Sequence, residues 1–295
     1  MYSLRCTTIF NMRPDSPSIL NAEYWNELCG TNMAAQLGLR DHSPESQRVF
    51  DEWFFDFYPY LIPFLGESLA KEEHILEVGL GFGSVSTMLA SSKRSYTGLD
   101  IAESAVAMCN SRLQQIGKEP SSVKGDALST PFPDGSFDAV VAIGSLHHTG
   151  DFDRAISEMA RIVKPGGVVC GMVYSLFSLR NFLHQPITTA CRCMVSIRRP
   201  VRINADQKLR WLSDHNSQGD AAPSTEYFSR KALRQILEQY GDVKITTHNL
   251  DSPPIPFGIG NWLRKSLIRT KLASWLGLDL YFIITVNRAH GGRLI

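Results

Sequence analysis

Three acids and three glycines are the residues whose types and spacing suggest chemistry. Glu77 opens the run Glu77-Val-Gly-Leu-Gly-Phe-Gly83, in which Gly79, Gly81 and Gly83 alternate. Glycines in that pattern make a turn that bends sharply and lets a ligand approach the backbone, because no Cβ stands in the way. Asp100 lies at roughly the ~20-residue separation at which an acid after such a turn meets ribose hydroxyls. Asp126 follows in Val123-Lys-Gly-Asp-Ala127. The spacing predicts a ligand with a nucleoside part. Further on, Gly144-Ser-Leu-His-His148 brings His147 and His148, imidazoles that move protons near neutral pH.

The elements that must position these groups are legible in the hydrophobic pattern. Ile75, Leu76 and Val78 read as a short strand buried on both faces, and Ser84 to Ala90 as the helix that leaves the glycine turn. Tyr96–Leu99 and Ala139–Ile143 repeat the buried run. Glu103–Ile116 and Asp151–Val163 are amphipathic, with Val106, Cys109, Leu113 and Ile116 inward in the first and Phe152, Ala155, Ile156, Met159 and Val163 in the second. Strands alternating with such helices predict right-handed crossovers and a parallel sheet covered on both faces. Ligands then bind outside the carboxyl ends of the strands, where Glu77, Asp100, Asp126 and His148 are expected.

From Glu73 to Tyr174 the chain closely resembles the class I S-adenosylmethionine-dependent methyltransferases of the type 11 methyltransferase-domain family. The resemblance rests on the acid-and-glycine turn from Glu77 to Gly83, on Asp100, on Asp126-Ala127, and on Glu158-Met-Ala-Arg-Ile-Val-Lys-Pro-Gly-Gly167. It implies a Rossmann-like α/β fold with a seven-stranded, mostly parallel sheet whose last strand is antiparallel. It also implies S-adenosyl-L-methionine as cofactor, released as S-adenosyl-L-homocysteine. The turn from Glu77 to Gly83, with Gly79 and Gly81, would hold the methionine part. Asp100, with Ile101 beside it, would take the ribose hydroxyls; Asp126 and Ala127 would flank the adenine; Gly144 and Ser145 would lie at the methionine end.

The remainder of the chain divides by composition. We expect residues 1–20 to be a disordered tail, faintly like a transit peptide or an extension upstream of a start at Met12. Residues 21–72 read as an N-terminal helical cap, 73–174 and 226–290 as the cofactor-binding core, and 175–225 as an inserted basic lid. Tyr24-Trp25 has two readings: an aromatic face over the cofactor's sulfonium, or core packing. The aromatic stripe Phe50, Trp53, Phe54, Phe57 and Leu61 in the helical region Glu45–Leu65 reads as core. In the lid, Arg180, Arg192, Arg198, Arg199, Arg202, Lys208 and Arg210 face only Asp206 before Trp211. That charge suits an anionic or lipid-linked acceptor, though a solvated helical face is the plainer account. Asp214-His215 and Tyr227 are candidate pocket contributors. Ser229 reads as the N-cap of the helix from Arg230 to Tyr240, and Val243–Thr247 and Leu280–Val286 as the last strands. The basic stretch between them, Trp262–Trp275, reads as a surface helix rather than a membrane contact.

Composition sets the outer limits. The chain has 295 residues, 43% hydrophobic, and a formal charge of +1, which gives no global attraction to nucleic acid or membrane. No apolar run approaches the ~20 residues of a membrane helix. The six scattered cysteines include one C-x-C, Cys191 and Cys193, a poor metal site; they read as small core residues with reduced thiols, in a cytoplasmic setting.

These observations predict a methyltransferase acting on a small-molecule acceptor at oxygen, nitrogen or carbon. His148, with His147 as alternate, is the candidate base if a hydroxyl is methylated; a pocket-lining role is the plainer reading. Two other functions stand beside it: a nicotinamide-dependent oxidoreductase, disfavoured by Ser84 where a third glycine is expected, and a relative that binds S-adenosylmethionine without turnover. RNA and protein acceptors are disfavoured by the near-neutral charge and the lack of a recognisable RNA module.

Overall fold

A computed structural model describes residues 17–27, 31–39, 43–92, 94–251 and 259–287. Four helices come first: α1 (Pro17–Asn26), α2 (Thr31–Gln36), α3 (Pro44–Phe57) and α4 (Leu61–Ser68). The alternating core follows as β1 (His74–Val78), α5 (Ser84–Ala90), β2 (Ser95–Asp100), α6 (Glu103–Gln115), β3 (Ser122–Lys124) and β4 (Phe137–Ile143). A 3₁₀ turn, Leu146–His148, leads to α7 (Phe152–Ile162) and β5 (Val163–Ser175). Then come α8 (Leu179–His184), α9 (Pro186–Arg198), β6 (Arg202–Asn204), α10 (Gln207–Ser213), β7 (Glu226–Phe228) and α11 (Arg230–Leu237). The described chain closes with β8 (Gly241–His248), α12 (Ile259–Leu267), α13 (Lys271–Leu276) and β9 (Asp279–Val286).

Strands β3-β2-β1-β4-β5 are parallel neighbours; β9 lies antiparallel against β5, and β8 antiparallel against β9. Side chains alternate between faces, as a pleated strand requires. Leu76 and Val140 join Phe152, Ile156, Met159, Leu233 and Leu237 on one face, while Ile75 and Val141 join Leu65, Leu89, Cys109 and Tyr281 on the other. Both faces are thus sealed by helices, and ligands are left only the strand ends. The caps are local: Asp151, Ser178, Asp206 and Ser229 each accept a backbone N–H from three residues on, beginning α7, α8, α10 and α11.

The architecture is the expected α/β one, with differences that bear on the site. The sheet has nine strands among the described residues rather than seven, because the short β6 and β7 join it. β7 runs parallel to β5 at Tyr174 and Ser175, taking up the edge that β4 leaves after Ile143, while β9 occupies the other edge as far as Tyr174. The inserted segment is therefore stitched into the sheet above the tip of β4. The expected tail of residues 1–20 is too long: residues 17–20 already form the first turn of α1, and residues 1–16, with Met12, lie outside the described residues. The helical region from Glu45 is two helices, broken at Tyr58–Tyr60 around Pro59, whose ring cannot donate to the helix ladder. Trp262–Trp275 is likewise two helices rather than one. Of the cysteines, Cys109 and Cys170 are buried and free as expected, but Cys191 is exposed on α9, so it is no core residue.

Candidate functional site

At the tip of β1 the three glycines of the turn all have positive φ: 84° at Gly79, 53° at Gly81 and 77° at Gly83. A Cβ on Gly79 would collide with Cβ of Ser145, whose hydroxyl donates to the carbonyl of Val78 at 2.7 Å. Asp100, the last residue of β2, holds the turn in place: its Oδ2 accepts the N–H of Leu80 at 2.6 Å and its Oδ1 the N–H of Ala102 at 2.8 Å. Each oxygen keeps a second lone pair. Burial pushes the Asp100 carboxyl up against the pull of those backbone donors. Glu77 is more extreme. It is buried, accepts the Tyr96 hydroxyl at 2.6 Å, and burial pushes it up to about 7. Asp126 stands beyond the short β3 rather than at its end, with Oδ1 taking the N–H of Leu128 at 2.8 Å and Oδ2 the Ser18 hydroxyl of α1 at 2.6 Å.

The tip of β4 carries the histidines. Gly144 turns the chain with φ 73°, and the 3₁₀ turn then points the two rings differently. His147 is fully buried against Tyr174, with ring centroids 4.3 Å apart, and neither ring nitrogen has a hydrogen-bond partner among the described residues. Burial holds it well below the usual imidazole range, and it is not part of the cavity wall. Of the two histidines, His148 alone borders the cavity.

His148 Nδ1 lies 3.0 Å from the carbonyl of Ser224. Thr225 Oγ1 lies 3.2 Å from the same nitrogen and 2.8 Å from the Ser224 carbonyl; a proton on Nδ1, donated to that carbonyl, would leave the lone pair on Nε2. Nε2 stands 3.7 Å from Asp214 Oδ2, a buried oxygen without a hydrogen-bond partner among the described residues. The other Asp214 oxygen accepts the Tyr174 hydroxyl at 3.1 Å. Trp25 packs on the His148 ring at 4.9 Å, with Tyr24 edge-on to Trp25 at 4.8 Å, and Asn21 donates to the His148 carbonyl at 2.9 Å.

Glu77, Gly79, Gly81, Asp100, Asp126, Gly144, Ser145, His148, Asp214, Tyr24 and Trp25 border one cavity of about 480 Å³, which also takes in Ile101, Ala127 and Met172; of the predicted site residues Gly83 and His147 are not in its lining. Its wall away from the glycine turn is aromatic: Trp53, Phe54, Phe57 and Tyr58 of α3 and its C-cap line it beside Trp25 and Tyr174. The stripe read from sequence as core is core and cavity lining together: Phe50, Trp53 and Phe54 pack in one hydrophobic cluster, Leu61 is fully buried in another, and Phe50, Trp53, Phe54 and Phe57 also border the cavity, Phe50 stacking on Phe82 at 4.3 Å. Three acids, Asp214, Asp251 and Asp279, border the same end. Arg180 is their one cationic neighbour in the lining and is committed to Asp251 in a two-pronged pair, Nη2 to Oδ1 at 2.7 Å. Asp279 is fully enclosed, and burial pushes it up to about 7 although Asn249 donates to it at 3.1 Å.

Of the residues suggested outside the core, Asp214 and His215 reach the cavity and Tyr227 does not. The sequence analysis missed Ser18, Asn21, Tyr58, Tyr174, Asp251 and Asp279; Arg180, named there only as one of the lid cations, is also in the lining. Only the helical spacing of the α3 aromatics carried a signal that pointed to any of this wall.

Comparison with known proteins bears on the core of the chain. Residues 76–171 match the family described as "Methyltransferase domain". This segment is a class I methyltransferase domain of the type 11 family. Over 97 residues the methyltransferase domain is 41% identical to a fatty-acid O-methyltransferase of Mycolicibacterium smegmatis, 32% of this chain and 35% of that protein. Over 97 residues it is 39% identical to the phthiotriol/phenolphthiotriol dimycocerosates methyltransferase of Mycobacterium leprae, again 32% and 35%. The match thus spans about a third of the length of these curated relatives. In fold, the chain is similar to geranyl diphosphate C-methyltransferase of Streptomyces coelicolor A3(2), at TM-score 0.53 and 16% identity, covering 94% of this chain and 100% of that one. The cofactor of this family is S-adenosyl-L-methionine. The methyltransferase domain offers a fitting cradle: backbone opened by Gly79 and the buried carboxyls of Glu77 and Asp100, which suit a ligand that carries positive charge.

Proposed function

We propose that the protein transfers a methyl group from S-adenosyl-L-methionine to a hydroxyl of a largely apolar small molecule. The observation that supports this most is the pairing at the tip of β4, where His148 Nε2 stands 3.7 Å from Asp214 Oδ2, an oxygen without a hydrogen-bond partner among the described residues, on the cavity wall. A hydroxyl seated there gives its proton to Nε2 as its oxygen becomes a nucleophile, and Asp214 stabilises the imidazolium that results. Ser224 holds the ring by its other nitrogen, so the base cannot rotate out of line. When bound, the cofactor supplies an already activated methyl group, which leaves the protein the tasks of alignment and exclusion of water. Gly79, Gly81, Gly83, Asp100 and Asp126 would hold it, and Trp25 and Tyr24 would offer aromatic faces to the sulfonium.

The same wall speaks to the acceptor. Asp214, Asp251 and Asp279 outnumber Arg180, which is already paired, so the reactive end suits an uncharged hydroxyl better than an anion. The aromatic side chains of α3 suit an apolar body, in keeping with relatives named for methylating a fatty acid and phthiotriol dimycocerosates. The free thiols fit a reducing, cytoplasmic setting. The oxidoreductase reading loses support because β9 enters antiparallel beside β5, where a dinucleotide enzyme continues its parallel order. The test is transfer of labelled methyl to a panel of long-chain alcohols, phenols and carboxylic acids. Labelled alcohol or phenol products, lowered roughly 100-fold or more in His148→Ala with cofactor affinity kept, are expected. Undiminished turnover in His148→Ala would overturn the assignment of the base. Cofactor binding with no product from any acceptor would favour a binding-only role.

A further inference from the structure

Helix α9 is built inside out. Of its 13 residues only Thr189 is buried, while Ile187, Ala190, Cys191 and Met194 follow the i, i+3, i+4, i+7 spacing of one helical stripe and all are exposed. Ile187 is 79% exposed, Met194 62% and Ile197 77%, and Leu183 at the end of α8 adds 68%. A helix whose apolar stripe faces water gains little from packing, and short helices rarely stand on propensity alone. Something therefore covers it.

The surrounding charge says what. From Met159 to Ala205 the chain has no acidic residue, and Arg192, Arg198 and Arg199 form no ion pair with any described residue. Lys231 adds a fourth cation at the C-terminal end of α9, donating to the Arg198 carbonyl at 3.2 Å. A second copy seated across a two-fold axis would set this basic surface against itself. The chain's own segments 1–16 and 288–295 bring only Asp15 as acid. A planar surface that offers both hydrocarbon and negative charge satisfies the stripe and the cations together. We infer that the α8–α9 hairpin docks the protein on an anionic lipid bilayer, with Ile187, Met194 and Ile197 entering the interface and Arg192, Arg198, Arg199 and Lys231 at headgroup level.

The position of the hairpin fits that role. Arg180 of α8 lines the cavity, and Leu183, one turn along the same helix, belongs to the exposed apolar surface. Asn181 ties the hairpin down: its side chain donates to the carbonyl of Leu176 at 3.0 Å, and its own carbonyl accepts the Thr189 hydroxyl at 3.0 Å. Docking would bring the cavity within a helix turn of lipid, so that an apolar acceptor need not cross water. This last point rests on the proposed acceptor class; docking itself does not.

Co-sedimentation of the full chain with phosphatidylcholine vesicles, with and without about a third phosphatidylglycerol, tests the inference. Binding is expected to the anionic vesicles and to weaken with salt. Arg198→Gln should weaken it roughly fivefold, as should Arg199→Gln. The double variant Ile187→Asp, Met194→Asp should weaken it at least tenfold while circular dichroism and cofactor affinity stay at wild-type values. Equal binding to both vesicle types, or none, overturns the inference. So does a concentration-dependent dimer in sedimentation velocity that the double variant abolishes, since a second copy would then be the cover. Because vesicle binding and cofactor affinity are read separately, failure here and failure of the methyltransferase reading are distinguishable.

Discussion

Glu77 should make the ligand-free protein less stable as pH rises. Burial pushes its carboxyl from an ordinary 4.5 up to about 7, so between those values the folded chain keeps a proton that the unfolded chain has released. Stability then falls with rising pH, by about 3 kcal/mol for a change of that size, and levels off above about pH 7. Below pH 4.5 both states are protonated and the effect is absent. Asp279, pushed up to about 7 as well, adds a fall of the same sign, so the wild-type profile alone does not isolate Glu77. Glu77→Gln does: its amide oxygen still accepts the Tyr96 hydroxyl, and it carries no charge to bury. The variant should equal the wild type in urea unfolding near pH 4.5 and exceed it by up to about 3 kcal/mol at pH 8, while losing cofactor affinity there, because a cationic ligand favours the ionised acid. A wild-type-to-variant difference that stays constant between pH 4.5 and pH 8 would refute the reasoning.

Three further outcomes follow from the geometry. Asp100→Ala should lower cofactor affinity and also destabilise the fold by roughly 1–3 kcal/mol, since the backbone N–H groups of Leu80 and Ala102 lose their acceptor; calorimetric titration and denaturant unfolding read the two effects separately. Asp214→Asn should reduce turnover at least tenfold with little change in cofactor affinity, and unaltered kcat in single-turnover measurements would remove Asp214 from the proton path. Gly79→Ala, forced to φ 84° with its Cβ in the space of Ser145, should abolish cofactor binding and lower Tm, which a thermal melt and a binding isotherm check.

Local rules made the core legible. Strand periodicity placed β1, β2 and β4, the Ser84–Ala90 helix has the expected ends, and Ser229 caps α11 as its hydroxyl chemistry suggested. The glycine turn was legible because only glycine suits three consecutive alternating left-handed positions. The far wall was not legible, for a reason of connectivity. Arg180, Asp214, Asp251 and Asp279 come from four separate segments, brought together when β7 extends β5 and β9 slots between β5 and β8. No periodicity along the chain encodes such a meeting. The aromatic stripe of α3 was legible as core but not as cavity lining, because helical spacing states which residues share a face, not whether that face also meets a cavity. His147 and His148 are adjacent in sequence, and only the tight turn after Ser145 decides which of them is walled in.

Helix α1 acts as a clasp across both compartments of the cleft. Ser18 grips Asp126 on the nucleoside side, and one turn later Asn21 grips the carbonyl of His148 on the reactive side. A rigid bar fastened at both ends cannot lift from one without straining the other. If a substrate enters by displacing that ten-residue helix, its arrival would loosen the helix's hold on the other berth as well.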